Sequence, residues 1–185
     1  MKKLIALLLA VCMVLGLMTT VFAADEKSND IVILHTDDAH CGVNDNLGYA
    51  GVAAYKAEMQ KTHNYVALVD CGDAIQGESI GTLSAGAYLV DIMNEVGYDF
   101  ATFGNHEFDY GMDRFLELTE MADFPYISAN FNKDGELVFD PYVIEEIEGV
   151  KIAFVGVTTP KTITSSTPKY FQDDEGNFIY GFMQD

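Results

Sequence analysis

Short apolar runs alternate with segments of helical periodicity along the chain, and no other feature restricts its fold as much. Residues 31–34 and 65–69 are continuous apolar runs, and between them the apolar side chains of residues 48–63 recur close to helical spacing. A short apolar run is typical of a strand buried on both faces, and a helix between two such strands forms a β-α-β unit. The sequence therefore predicts an α/β fold in which helices flank a mainly parallel sheet.

The same alternation continues through the later part of the chain. It predicts a helix over 87–96, a strand over 100–103, a helix over 112–121 and a strand over 126–128. Two further strands, 142–144 and 150–157, flank Glu148-Gly149 and predict a hairpin with a tight turn. Gly156 lies inside the second of them, where two backbones can approach closely. Beyond Pro160 the chain is polar and irregular, so we predict an incomplete layered sheet with no closing element.

The first 23 residues have the parts of a secretory signal peptide. Lys2 and Lys3 form a basic start, residues 4–18 are apolar, and Ala23 ends a stretch of the kind that signal peptidase cleaves. The alternative is a retained membrane anchor, which is less favoured because the apolar run is short for a bilayer. We therefore expect cleavage after Ala23, a secreted or cell-surface protein without a stable membrane span, and one domain over residues 24–185.

The charge balance restricts the class of partner. Ten Lys and Arg stand against 29 Asp and Glu, a formal net charge of −19, and removal of Lys2 and Lys3 makes it more negative still. Binding along a phosphate backbone depends on clustered cations, so extended nucleic acid is excluded as a partner. A small phosphorylated ligand remains compatible if bound cations neutralise it locally.

Acidic, amide and histidine side chains follow three successive predicted strands. They are Asp37, Asp38 and His40 after the first strand, Asp70 and Asp73 after the second, and Asn105, His106, Glu107 and Asp109 after the third. Ligands of open α/β sheets collect at the carboxyl ends of strands, and oxygen donors with imidazole are typical of Mg, Mn, Zn or Fe sites. Asp38 or Asp73 alone would be interpreted as a turn residue. Their repetition at successive strand ends favours a metal site.

Three ordered motifs resemble one known family. They are HTDDAH at 35–40, GDAIQG at 72–77 and GNHEFDYG at 104–111, followed by SANF at 128–131 and GVTTP at 156–160. Together they are similar to the metallophosphoesterases of the calcineurin-like fold, and within them to the secreted 5′-nucleotidase and UDP-sugar hydrolase group. The resemblance runs from about residue 31 onward. It implies a layered metallophosphoesterase sandwich, of which residues 24–185 would supply the N-terminal part of the catalytic domain.

The resemblance also implies a cofactor and its ligands. Asp38 and His40 would bind one divalent metal ion, Asp73 would bridge two, and Asn105 would bind the second. The ions would be Zn, Mn, Mg or Fe. The implied activity is metal-dependent release of phosphate from a small-molecule nucleotide or a related phosphate ester.

Two further residues of the third motif have implied roles. In the family the histidine equivalent to His106 is not a ligand but pairs with an aspartate, which here is Asp109. Positions i and i+3 of a helical turn face each other, so this carboxylate can fix the imidazole tautomer and raise its pKa. The alternative is a pair that only caps a helix. Glu107 is expected to support the loop by hydrogen bonding rather than to touch metal.

Several features leave alternatives open. The family usually has Asn where Asp37 stands, and its later histidine ligands have no counterpart among the four histidines of this sequence. A non-catalytic metal-binding fragment, a cyclic-nucleotide phosphodiesterase and a UDP-sugar hydrolase of the same fold are therefore alternative functions. Cys41 and Cys71 follow neighbouring strands and are predicted equally well as a disulfide or as two free thiols.

Overall fold

The computed structural model describes residues 26–183, and the predicted signal peptide lies outside this range. The strands are β1 (Ser28–Thr36), β2 (His63–Asp70), β3 (Phe100–Ala101), β4 (Phe131–Lys133), β5 (Glu136–Leu137), β6 (Tyr142–Ile147), β7 (Val150–Val155) and β8 (Tyr180–Phe182). The helices are α1 (Gly48–Thr62), α2 (Ser79–Ser84), α3 (Ala87–Val96), α4 (Met112–Met121) and α5 (Thr162–Ser165), with 3-10 turns at His106–Phe108 and Pro168–Phe171. Among the residues described, no helix is both long and apolar enough to cross a membrane.

A parallel sheet of order β1-β2-β3 lies at the centre, as the alternation predicts. The predicted fourth strand, 126–128, is wrong in extent, because only one parallel bridge joins Ala101 to Tyr126. The segment then leaves the sheet: the backbone N–H of Ser128 donates to Asp140, and that of Ala129 donates to Gly156 at 2.8 Å. The close backbone approach predicted at Gly156 is therefore present.

The prediction that the first strand is buried on both faces is also wrong. β1 exposes Ile31 and Ile33 by 40% and 49%, while Leu34 on the opposite face packs against the core. The central strand β2 is better covered, and Leu68 within it is fully buried. The apolar run therefore predicted the strand β1 correctly, but it did not indicate how many faces of that strand are covered.

The hairpin of β6 and β7 has the predicted tight turn. Glu148 and Gly149 have positive φ values of 50° and 83°, the backbone conformation that two-residue hairpin turns require. The prediction that the chain is irregular beyond Pro160 is wrong, because β8 pairs antiparallel with β4 in a second sheet of order β5-β4-β8. Phe182 in β8 is 8% exposed and belongs to the core.

Phenylalanine rings fill the core beneath the carboxyl ends of the central strands. Phe103 lies 5.0 Å from Phe115 and 5.3 Å from Phe131, measured between ring centroids. Phe108, inside the third motif, is fully buried and lies 4.9 Å from Phe171. Aromatic pairs at such separations contribute about 0.5–1.5 kcal/mol each beyond the area that they bury. The aromatic core therefore holds the 3-10 turn that carries His106.

Candidate metal centre

The loop after β1 has an unusual backbone. Asp38, His40 and Cys41 have positive φ values of 58°, 43° and 61°. This left-handed conformation costs non-glycine residues roughly 1–2 kcal/mol each and persists only where neighbouring contacts fix it. The N–H groups of Asp38 and His40 donate to the carbonyls of Gly72 and Asp73 at 3.1 and 2.9 Å. The loop after β2 therefore holds the loop after β1 in place.

The two side chains that this loop presents suit one metal ion. His40 Nδ1 lies 3.1 Å from the carbonyl oxygen of Gln76, and His40 Nε2 lies 3.1 Å from Asp38 Oδ1. An imidazole that donates Nδ1–H to a carbonyl leaves Nε2 free as a metal ligand. Two ligands at about 2.1 Å from one ion in octahedral geometry lie about 3 Å apart. The Asp38–His40 separation therefore fits a shared ion.

Two glycines bring the loops after β2 and β3 into direct contact. A Cβ atom on Gly72 would lie 2.3 Å from the backbone nitrogen of Gly104. A Cβ atom on Gly104 would lie 2.3 Å from Asp73 Oδ1. A side chain at either position would push Asp73 away from Asn105, which directly follows Gly104.

Asp73 lies where the three loops meet. Its φ is 57°, and its Oδ1 accepts a hydrogen bond of 2.8 Å from the backbone N–H of His106. One donor atom each from His40, Asp73 and His106 lie within 4.8 Å of one another. Nitrogen and carboxylate donors this close together fit a divalent transition metal. The residues brought together are therefore suited to metal binding.

His106 and Asp109 form the contact that their spacing predicts. His106 Nδ1 lies 2.6 Å from Asp109 Oδ2, and both side chains are partly buried. Burial alone would lower the pKa of His106, but the hydrogen bond and charge of Asp109 outweigh it and raise the pKa. The contact leaves Nε2 as the free ring nitrogen. The His106 ring lies edge-on to the His40 ring, 4.8 Å away between centroids.

Glu107 is buried between two loops. Its side chain is 1% exposed and its carboxylate accepts three backbone N–H groups, from Asp73, Ala74 and Gly104, at 2.9, 2.9 and 2.7 Å. Burial raises the pKa of this carboxyl, and the N–H groups oppose that shift. These contacts agree with the supporting position expected for Glu107.

The remaining predicted ligand, Asn105, is half-buried immediately before the 3-10 turn. It directly precedes His106, so the turn that presents His106 also positions Asn105. Asp37, the departure from the family pattern, is exposed beside the site. The candidate ligands Asp38, His40, Asp73 and Asn105 thus follow the carboxyl ends of strands of the parallel sheet, as predicted.

Sequence reasoning named Asp70 among the residues at strand ends but not its supporting contacts, and it did not assign a supporting role to Thr158. Asp70 is 3% exposed and accepts hydrogen bonds from the Thr36 hydroxyl at 2.6 Å and the Gly72 N–H at 3.0 Å. Burial raises the pKa of Asp70 to about 8. Thr158 donates its hydroxyl to the carbonyl of Phe103 at 2.5 Å, just before the third loop. Only the position of Thr158 in the fifth motif signalled a role in the sequence.

The two cysteines near the site are free thiols in the structure. Cys41 is buried, and burial raises its pKa to about 11, whereas Cys71 is exposed. The structure therefore supports the free-thiol alternative for this pair.

A groove opens beside the candidate ligands. Its volume is about 590 Å³ and His40 forms part of its wall. The other lining residues are Gly77, Glu78, Ser79, Thr82 and Leu83. This volume is within the range of about 300–1,000 Å³ that is typical of small-molecule sites.

The chain is similar to 5′-nucleotidases and related proteins. It is 34% identical over 161 residues to the snake venom 5′-nucleotidase of Gloydius brevicauda and 36% identical over 163 residues to protein UshA of Yersinia enterocolitica. The alignments cover 76% and 81% of this chain but only 27% and 29% of those relatives. The chain thus spans less than a third of their length. No protein-family model matches it.

The fold is similar to solved structures of the same kind. The calcineurin-like phosphoesterase YfkN of Bacillus subtilis superposes with a TM-score of 0.68 at 28% identity, over 82% of this chain and 53% of that one. The aligned part includes most of the described residues, and the predicted class of fold is confirmed. The chain belongs to the 5′-nucleotidase family of calcineurin-like phosphoesterases.

Proposed function

We propose that this chain forms part of a metal-dependent phosphohydrolase that releases phosphate from nucleotides or related phosphate esters. The observation that carries the proposal is the convergence at three strand ends of His40 and Asp73, the candidate ligands, with His106: one side-chain atom of each lies within 4.8 Å of the others. The names of the relatives support a nucleotide as the substrate class.

The proposed ligands divide between two ions. Asp38 and His40 would hold the first ion, Asp73 would touch both, and Asn105 would hold the second. Bound divalent ions would neutralise the phosphate and lower the pKa of a water molecule to near neutrality. Two carboxylates against two dications leave a local positive charge in an otherwise acidic chain. This local charge is what admits an anionic substrate.

His106 and Asp109 would act on the substrate directly. Asp109 holds Nδ1 of His106, so the proton-bearing ring is oriented and its free Nε2 can face a phosphoryl or leaving-group oxygen. The raised pKa of His106 favours the protonated form, which stabilises negative charge and can donate a proton to the leaving alkoxide. The rest of the substrate would lie in the groove beside His40.

The test is phosphate release from AMP by the purified chain with added Mn²⁺ or Zn²⁺. We expect release that stops with EDTA and falls by about 10²–10⁴ in His106→Ala. His63→Ala is the matched control, because His63 follows α1 as the first residue of β2 and contacts the carbonyl of Met59. Activity that survives His106→Ala would contradict the roles of His106 and Asp109. Metal binding without phosphate release would support the non-catalytic alternative.

The location of the protein is a separate part of the proposal. The predicted signal peptide supports export and removal of residues 1–23. The intact mass of the protein recovered from the expressing cells tests this. A mass that begins at Ala24 is expected, and one that retains residues 1–23 in a membrane fraction would contradict it.

A further inference from the structure

We infer that Glu107 is a positioning residue that joins the loops after β2 and β3, so that Asp73 and Asn105 face each other before any metal binds. The inference deepens the proposed function, because it concerns the same site. Only the expected effect of Glu107 on metal affinity rests on the proposed function.

The Glu107 carboxylate lies between two segments that are about 30 residues apart in sequence. Oε1 accepts from Ala74, and Oε2 accepts from both Asp73 and Gly104. A carboxylate has about four acceptor positions, and three are used here. With 1% exposure, the side chain is enclosed by protein. Glu107 therefore acts through the backbone rather than as a metal ligand.

Asp73 is fixed at each of its polar groups. Its N–H donates to Glu107, its carbonyl accepts from His40, and its Oδ1 accepts from His106. Its left-handed φ of 57° is a conformation that a non-glycine residue keeps only when several contacts determine it. The bond to Glu107 is one of these contacts. Its loss would let Asp73 relax away from the candidate ligand position.

The third loop depends on the same carboxylate. The N–H of Gly104 donates to Glu107 Oε2, and Gly104 lies against the Asp73 carboxylate with no room for a side chain. Asn105 follows directly. One buried charge therefore sets the separation between the proposed bridging ligand and the proposed ligand of the second ion. Supporting residues of this kind typically change metal affinity by about 10–100-fold when they are mutated.

Amide hydrogen exchange on the metal-free chain tests the inference without any metal. The amides of Asp73, Ala74 and Gly104 should exchange at least about 100-fold more slowly than an unstructured peptide. In Glu107→Gln one acceptor oxygen is replaced by an amide NH₂ that cannot accept, so at least one of the three amides should lose protection by about tenfold or more, while the amide of Leu68 in β2 keeps its protection. Unprotected amides at these three positions in the wild type would overturn the inference, whether or not the variant folds.

Calorimetric titration with Zn²⁺ tests the consequence. Glu107→Gln should bind Zn²⁺ about 10–100-fold more weakly. Glu107→Asp should show a similar loss, because it keeps the charge but is too short to reach both loops. Asp99→Asn is the matched control. Asp99 also accepts a backbone N–H, from Leu68 at 2.7 Å, but its other side-chain hydrogen bond is with Lys56 and not with a loop of the candidate metal centre. It should leave Zn²⁺ affinity unchanged.

The outcomes separate the two proposals. Wild-type affinity in folded Glu107→Gln, or in Glu107→Asp, would overturn the inference while leaving the metal site intact. A wild-type chain that binds no Zn²⁺ but protects the three amides would contradict the proposed metal site and keep the positioning role of Glu107.

Discussion

The loops around the candidate metal centre and the aromatic core beneath them are held by different interactions. In the loops, Asp38, His40 and Asp73 have left-handed backbones that hydrogen bonds between loops maintain. In the core, Phe103 and Phe131 are almost fully buried among other rings. Packing of this kind is worth several kcal/mol per side chain, whereas each hydrogen bond contributes about 1 kcal/mol net.

Stability and metal binding therefore depend on different parts of the molecule. Variants in the core should change mainly stability, whereas variants in the loops should change mainly the positions of the donor atoms. Thr158 connects the two regions, because its hydroxyl binds the Phe103 carbonyl next to the third loop. Variants of the aromatic core and variants of the loops should therefore each be measured for both stability and Zn²⁺ affinity.

The largest effect on stability is expected in the core. Phe131→Ala removes a fully buried ring that stacks on Tyr180, and should cost about 3–5 kcal/mol of unfolding free energy. Chemical denaturation measures it. Phe178→Ala, at a ring that is 56% exposed, is the control and should change stability by less than about 0.5 kcal/mol. Similar losses of unfolding free energy in the two variants would contradict the stabilising role of the buried Phe131 ring.

A smaller loss is expected at the buried polar contact between the regions. Asn130→Ala removes the side chain that donates to the Thr158 carbonyl at 2.7 Å and accepts from its N–H at 3.1 Å. Loss of the two hydrogen bonds, each worth about 0.5–1.5 kcal/mol net, should cost about 1–3 kcal/mol in total. Thermal unfolding measures the loss. A shift no larger than that of a surface variant would show that other partners replace Asn130.

The next variant should affect metal binding more than stability. Gly72→Ala places a methyl group against Gly104 and should separate Asp73 from Asn105, lowering Zn²⁺ affinity by about tenfold or more. Gly135→Ala is the matched control, because Gly135 also has a positive φ but nothing within 4 Å of the added atom. If both variants lose affinity equally, backbone strain rather than contact between the loops is responsible.

The smallest structural change is expected at the His106–Asp109 pair. Asp109→Asn removes the charge that raises the pKa of His106, so this pKa should fall. NMR titration of the imidazole resonances follows it, and His63 in the same spectrum serves as the internal control. An unchanged His106 pKa would indicate that Asp109 does not determine its protonation.

The site was predictable from sequence because its chemical residues follow strand ends, where topology brings them together. The partners of Glu107 were not predictable from sequence, because they are backbone N–H groups of distant loops and leave no residue pattern. β8 was missed because its three residues, Tyr180–Phe182, are too few to show a periodicity that a strand prediction can use. The exposed face of β1 was missed because Ile31 and Ile33 look the same in sequence whether covered or not.

Anomalous scattering from crystals of the chain soaked with Zn²⁺ tests the proposed metal centre itself. We expect a zinc peak within about 2.0–2.2 Å of donor atoms from Asp38, His40 and Asp73. The absence of a peak among these three side chains, with zinc bound only at remote sites such as His63, would contradict it.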